Sequence, residues 1–186
     1  MSSTNLIHLI VSDYKKYQKY GGNLFTIVLF TQSFWAVFQY RIAHRVYQLK
    51  IPIVKNILKL ICLLWQKLIE ITTGISIPAS VNIGHSFYIG HFGGIILNAN
   101  TIIGNNCNIS QGVTIGVSGI NENRGVPIIG NNVYIGANAV IAGKIKIGNN
   151  ALIGACSLVN SDAEENAVML GVPAIKISNK GSFNYI

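Results

Sequence analysis

The stretch IIGNNVYIGANAVIAGKIKIGNNALIG, from Ile128 to Gly154, decides how the chain is read. An aliphatic residue returns at every sixth position, Ile129, Ile135, Ile141, Ile147 and Ile153, each followed by Gly or Ala. Outward from it, the same step runs through Ile103, Ile109 and Ile115, through Ile77, Ile83 and Ile89, and closes at Val159. Six is neither the helical period nor the simple strand alternation, so the repeat describes an architecture. In a parallel β-helix, short strands stack coil on coil and send aliphatic side chains into one continuous core. Three six-residue sides make a triangular coil, and the interval from Ile77 to Val159 allows about four to five coils. Gly after the inward aliphatic suits a corner where a side chain would clash or the backbone needs positive φ. The pairs Asn105-Asn106, Asn131-Asn132 and Asn149-Asn150 suit corners because Asn tolerates the left-handed conformation.

Two gaps disturb the rhythm. Ile89 to Ile103 and Ile115 to Ile129 each span fourteen residues, two more than a multiple of six. His91 stands just inside the first gap, and the second holds the polar segment Val117–Val126, expected to project as a loop. Regular coils need only stack, so the irregular places are where function is expected.

Upstream, the texture is helical. Residues 1–20 read as one helix, ended by Gly21-Gly22. Residues 24–50 read as a second, with Leu24–Phe38 expected to be buried, and 53–72 as a third carrying Ile57, Leu60, Ile61, Leu64 and Leu68 beside Lys55, Lys59 and Lys67. A basic amphipathic helix of this kind either packs on protein or lies on a membrane. No run of about 18 apolar residues is present, which argues against a transmembrane span. The expected organisation is an α-helical region over 1–74, a β-helix over 75–175 and a loosely held tail over 176–186. The class is mainly β.

The bulk numbers narrow the partners. The net charge is +8, yet the fourteen Lys and Arg residues are scattered, with no compact basic-aromatic run of the kind that binds nucleic acid. Three separated cysteines, Cys62, Cys107 and Cys156, form no CxxC or Cys/His cluster; no metal is expected, and a cytoplasmic setting fits. On the residues alone, a non-catalytic β-helical scaffold stays open beside an enzyme.

The repeat ending in Gly171-Val172-Pro173-Ala174 resembles the left-handed hexapeptide-repeat acyltransferases. The segments Gln39–His44, Ile83–Ile96 and Gly112–Gly116 resemble the serine acetyltransferase branch. The resemblance implies a left-handed β-helix, a homotrimer or dimer of trimers with sites between neighbouring prisms, acetyl-CoA in a groove, and a His that deprotonates the acceptor hydroxyl. That His matches His91; imidazole titrates near about 6.5 and can take a hydroxyl proton as attack proceeds. The same resemblance marks Gly116, Gly136, Ala137, Ala142, Gly143, Lys144, Ala155 and Lys176 for the donor, and His85, Phe92 and Arg124 for the acceptor. This sequence departs from the branch in three places. The Asp expected directly before the His is Gly90, the Asp expected to orient the imidazole is Ser76, and the Asp-Arg-His-Pro stretch reads Arg124-Gly125-Val126-Pro127. Free serine needs fixed counter-charges. The charge-poor site therefore leads to an expected glycan hydroxyl as acceptor, resembling colanic acid and capsule acetyltransferases, at the cytoplasmic side and with a peripheral membrane contact in view. Serine itself, with altered site residues, is the alternative.

Overall fold

The computed structural model describes residues 5–186, so the first four residues of the helix expected over 1–20 lie outside it. Four helices come first: α1 (Leu6–Lys19), α2 (Leu24–Phe30), α3 (Gln32–Tyr47) and α4 (Pro52–Thr73). The single helix expected over 24–50 is two. Asn23 and Thr26 cap each other reciprocally at the start of α2 (2.9 and 3.0 Å), and the Thr31 hydroxyl donates back to the Thr26 carbonyl (3.0 Å). A side chain that competes for backbone groups in this way ends the helix after seven residues. Nor is the segment buried: Leu24, Phe25 and Phe30 are exposed, whereas α3 buries Phe34, Val37 and Tyr40. Among the described residues, no helix is long and apolar enough to cross a membrane.

The β-helix follows from the repeat. One parallel sheet stacks β1 (Ile75–Ser76), β4 (Ile95–Leu97), β7 (Thr114–Gly116), β10 (Val140–Ala142) and β13 (Leu158–Val159). A second stacks β2 (Asn82–Ile83), β5 (Ile102–Ile103), β8 (Ile128–Ile129) and β11 (Lys146–Ile147). The third stacks β3 (Tyr88–Ile89), β6 (Asn108–Ile109), β9 (Tyr134–Ile135), β12 (Leu152–Ile153) and β14 (Val168–Gly171), with β15 (Ala174–Ser178) antiparallel on its edge. These make four full coils and part of a fifth. Ile83, Ile103, Ile129 and Ile147 form one inward column, and Ile89, Ile109, Ile135 and Ile153 another, all buried.

The register locates the irregularities. Ile75 pairs with Ile95, twenty residues on; Ile96 with Thr114, eighteen on; Thr114 with Val140, twenty-six on; and Val140 with Leu158, eighteen on. The first coil carries two extra residues at the corner between β3 and β4, and the third carries eight extra at the corner after β7. Corner glycines serve clearance: a Cβ at Gly104 would lie 2.5 Å from the Gly130 carbonyl oxygen of the next coil. The left-handed turn falls on the second Asn of each pair, with φ of 58° at Asn106, 54° at Asn132 and 57° at Asn150.

Those asparagines also form a ladder along one edge. The Asn106 Nδ2 donates to Asn132 Oδ1 (2.8 Å), Asn132 to Asn150 (3.0 Å) and Asn150 to Asn166 (3.1 Å). Lys16 of α1 caps the top by donating to Asn106 Oδ1 (2.6 Å). Beside it, the helices are fixed on the first coil by a buried ion pair. Arg41 grips Asp13 with two donors (2.7 and 3.0 Å) and also donates to the carbonyls of Ile83 and Gly84, while Asp13 accepts from the Phe87 N–H. The tail expected to be loosely held beyond Lys176 is instead packed: Ser182 N–H donates to the Asn150 carbonyl, and the Tyr185 carbonyl accepts from Asn108 and Tyr20.

Candidate active site

The two-residue insertion in the first coil builds the corner that carries His91. Gly93 and Gly94 both take positive φ (102° and 67°), which lets the chain bulge before β4. The bulge is held from both sides. Gly93 N–H donates to the Thr73 carbonyl at the end of α4 (2.8 Å), and its carbonyl accepts from Gly112 of the next coil (2.9 Å). Gly74, which ends α4, has no room for a side chain: a Cβ there would lie 3.1 Å from Gly93 Cα. His91 and Phe92 stand exposed on this fixed corner. Among the described residues neither ring nitrogen of His91 has a hydrogen-bond partner, so the imidazole is open to a substrate or to a second chain.

One turn before the α4 end that pins this corner is a carboxylate that the sequence reading did not single out, Glu70. Ser76, outward on β1, donates to Glu70 Oε1 (2.8 Å), and Gln66 and Lys67 donate to the same carboxylate (2.9 and 2.5 Å). Partial burial works to raise the Glu70 carboxyl, but the hydrogen bonds from Lys67, Ser76 and Gln66 outweigh it and hold the group below the usual range. The negative charge missing at position 76 is thus delivered by α4, through Ser76. One signal was available: Glu70 is the only acidic residue between Asp13 and Glu122.

The other expected site residues fall into two groups, on the edges that flank the β1-β4-β7-β10-β13 sheet. Gly136, Ala137 and Ala155 stack along the edge that carries His91, where Cys156 N–H donates to the Ala137 carbonyl (2.8 Å). Gly116, Ala142, Gly143, Lys144 and Arg124 gather at the opposite edge: Gly116 pairs with Ala142, and Gly143 N–H reaches the Gly116 carbonyl (3.4 Å). Gly116 is notable because neither backbone strain nor packing demands it; a Cβ there would meet nothing closer than 3.8 Å. Its bare backbone is open to a ligand, which fits a pantetheine arm.

The inserted segment between β7 and β8 is an ordered loop. Ser118 and Gly125 exchange backbone hydrogen bonds (3.1 and 3.0 Å) around a 3-10 turn at Asn121–Asn123, and Lys144 Nζ donates to the Glu122 carbonyl (3.1 Å). Arg124 is exposed beside the Ser118–Gly125 bridge and makes no ion pair among the described residues. Two other candidates stand apart. His85 occupies the preceding corner of the first coil, its Nδ1 3.0 Å from Ser86 Oγ and its ring edge-on to His8. Lys176, on β15, is paired with Glu164.

Residues 127–161 match the bacterial transferase hexapeptide (six repeats) family. Over 155 residues, the chain is 32% identical to a serine acetyltransferase of Synechococcus elongatus, covering 83% of this chain and 61% of that one. It is 30% identical to the serine acetyltransferase of Bacillus licheniformis, covering 83% and 68%. The chain belongs to the serine acetyltransferase family. The solved serine acetyltransferase of Brucella abortus in complex with coenzyme A superposes with a TM-score of 0.83 at 26% identity, covering 94% of this chain and 68% of that one. The fold of this family member is the left-handed parallel β-helix behind a helical region. These relatives correct the expected placement among colanic acid and capsule acetyltransferases and the expected glycan acceptor: the matched proteins carry the name serine acetyltransferase. The absent Asp residues led to that reading, yet a charge can be carried by another element: Glu70 on α4 accepts from Ser76, where an Asp was expected. This serine acetyltransferase-family chain spans less than two thirds of the Synechococcus protein.

Proposed function

We propose that the chain is an acetyl-CoA-dependent serine O-acetyltransferase with His91 as general base. The observation that carries this reading is the inserted corner holding an exposed, unpartnered imidazole next to the α4 end that brings Glu70 onto Ser76. His91 takes the proton of the serine hydroxyl as its oxygen attacks the thioester carbonyl carbon of acetyl-CoA. Collapse of the tetrahedral intermediate breaks the carbon–sulfur bond, and the departing thiolate takes the proton back from the imidazolium. The products are O-acetylserine and CoA. Glu70, through Ser76, supplies negative charge on the His91 side of the first coil, and Arg124, in no ion pair among the described residues, is a cation suited to the serine carboxylate.

The separation of His91 and the Arg124 loop onto two edges of one prism supports a site shared by two copies. Acetyl-CoA would lie between neighbouring prisms, where the edge of one copy carrying Gly136, Ala137 and Ala155 meets the edge of the next carrying Gly116, Ala142 and Gly143, with Lys144 near a phosphate. A homotrimer satisfies this arrangement with three equal sites.

The direct test mixes the protein with acetyl-CoA and L-serine and follows free thiol. Serine-dependent CoA release is expected, and His91→Ala should lower kcat by about 10² to 10⁴-fold with its melting temperature unchanged. A folded protein that releases no CoA with serine, or a His91→Ala variant as active as its parent, would overturn the reading.

A further inference from the structure

Helix α4 is apolar on more than the side that covers its own core. Cys62, Trp65 and Ile69 pack inward beside Gln66, Glu70 and Thr73, while Ile53, Ile57, Leu60, Ile61, Leu64 and Leu68 are exposed along its length. Leu24, Phe25 and Phe30 of α2 are exposed as well. Between α1, α2 and α4 runs a groove of about 630 Å³, whose lining includes Ile10, Tyr14, Val28, Phe38, Trp65 and Leu68. An apolar surface this continuous marks an interface.

Charge decides what it faces. Residues 5–75 carry nine Lys or Arg against two carboxylates, a net +7, and the rest of the chain carries five against four. Both carboxylates of the helical part are already engaged, Asp13 inside the protein with Arg41 and Glu70 with Lys67 and Ser76. A second copy of this face would therefore bring like charge and no free anion. Lys67 is exposed on α4 beside its apolar stripe, Lys59 is exposed on another side of the helix, and Lys50 stands just ahead of it.

We propose that the outward face of α2 and α4 docks on an anionic lipid surface. The apolar side chains enter the boundary between headgroups and acyl chains, the lysines meet anionic headgroups, and the groove takes an acyl chain. The proposal is independent of the acetyl acceptor.

The two tryptophans, Trp35 and Trp65, both line the groove, so intrinsic fluorescence reports on this face. The full chain is titrated with phosphatidylcholine vesicles, with and without phosphatidylglycerol, and sedimented. A blue shift and co-sedimentation are expected with the anionic vesicles, with binding about tenfold weaker to phosphatidylcholine alone or at high salt. Replacing exposed Leu60 and Leu64 together (L60S/L64S) should abolish binding while the melting temperature and acetyl transfer are kept. No binding to either vesicle overturns the proposal, as does equal binding to both. A fall in solution mass in L60S/L64S without vesicle binding in the parent assigns the face to a second copy and overturns it too.

Discussion

His91 depends on residues that lie far from it in sequence. Its corner is shaped by Gly93 and Gly94 and pinned by Thr73, at the end of the helix that carries Glu70. Replacing Glu70 with Gln keeps an acceptor for Ser76 and Gln66, loses the bond from Lys67 and removes the charge. We expect kcat to fall about tenfold with KM for acetyl-CoA unchanged; an unaltered kcat would remove Glu70 from the site. Lys16 offers a second measurement at this scale. Burial pulls its ammonium down to about 8 from an ordinary 10.5. The unfolded chain then binds more protons than the folded one between those values, so the penalty is full below about 8 and fades as pH rises through the interval. Lys16→Met removes that dependence. The stability gap between Lys16→Met and the parent should therefore change as pH rises above about 8, and urea midpoints showing a pH-invariant gap would contradict the assignment.

At the scale of elements, the loop between β7 and β8 is the part most separable from the core. Gly119 holds φ of 92°, and a Cβ there would lie 2.3 Å from the Asn123 carbonyl oxygen. Gly119→Val cannot close the turn, so Arg124 loses its position. We expect kcat/KM for serine to drop about ten- to a hundredfold while the melting temperature holds, and unchanged kcat/KM would take the loop out of the reaction. The strands were legible because each inward aliphatic recurs in a fixed register. The break at Thr31 was not, since it rests on a hydroxyl turning back to one carbonyl inside an apolar run. The outward stripe of α4 was legible as amphipathic, but a helical period has no sign and does not say which face is covered. Glu70 was hidden for a related reason: its partner Ser76 lies across the junction between helix and prism.

At the scale of the whole molecule, the prism and its two insertions were readable from spacing alone, because eighteen residues per coil is a packing constraint and departures from it are countable. The acceptor was not. In the proposed site it rests on Glu70 of α4 and Arg124 of the loop, neither of which a motif position records. A related asymmetry runs down the prism edge. Lys16, Asn106, Asn132 and Asn150 each donate in the same direction, from the helical part toward Asn166 in the last coil, and Asn150 also reaches Glu165 (3.4 Å). Amide dipoles aligned head to tail polarise one another. With a cation at one terminus and a carboxylate at the other, the row behaves as a single electrostatic spring, so loosening α1 at the top relaxes the closing coil at the bottom, and the two ends of this solenoid do not fray independently.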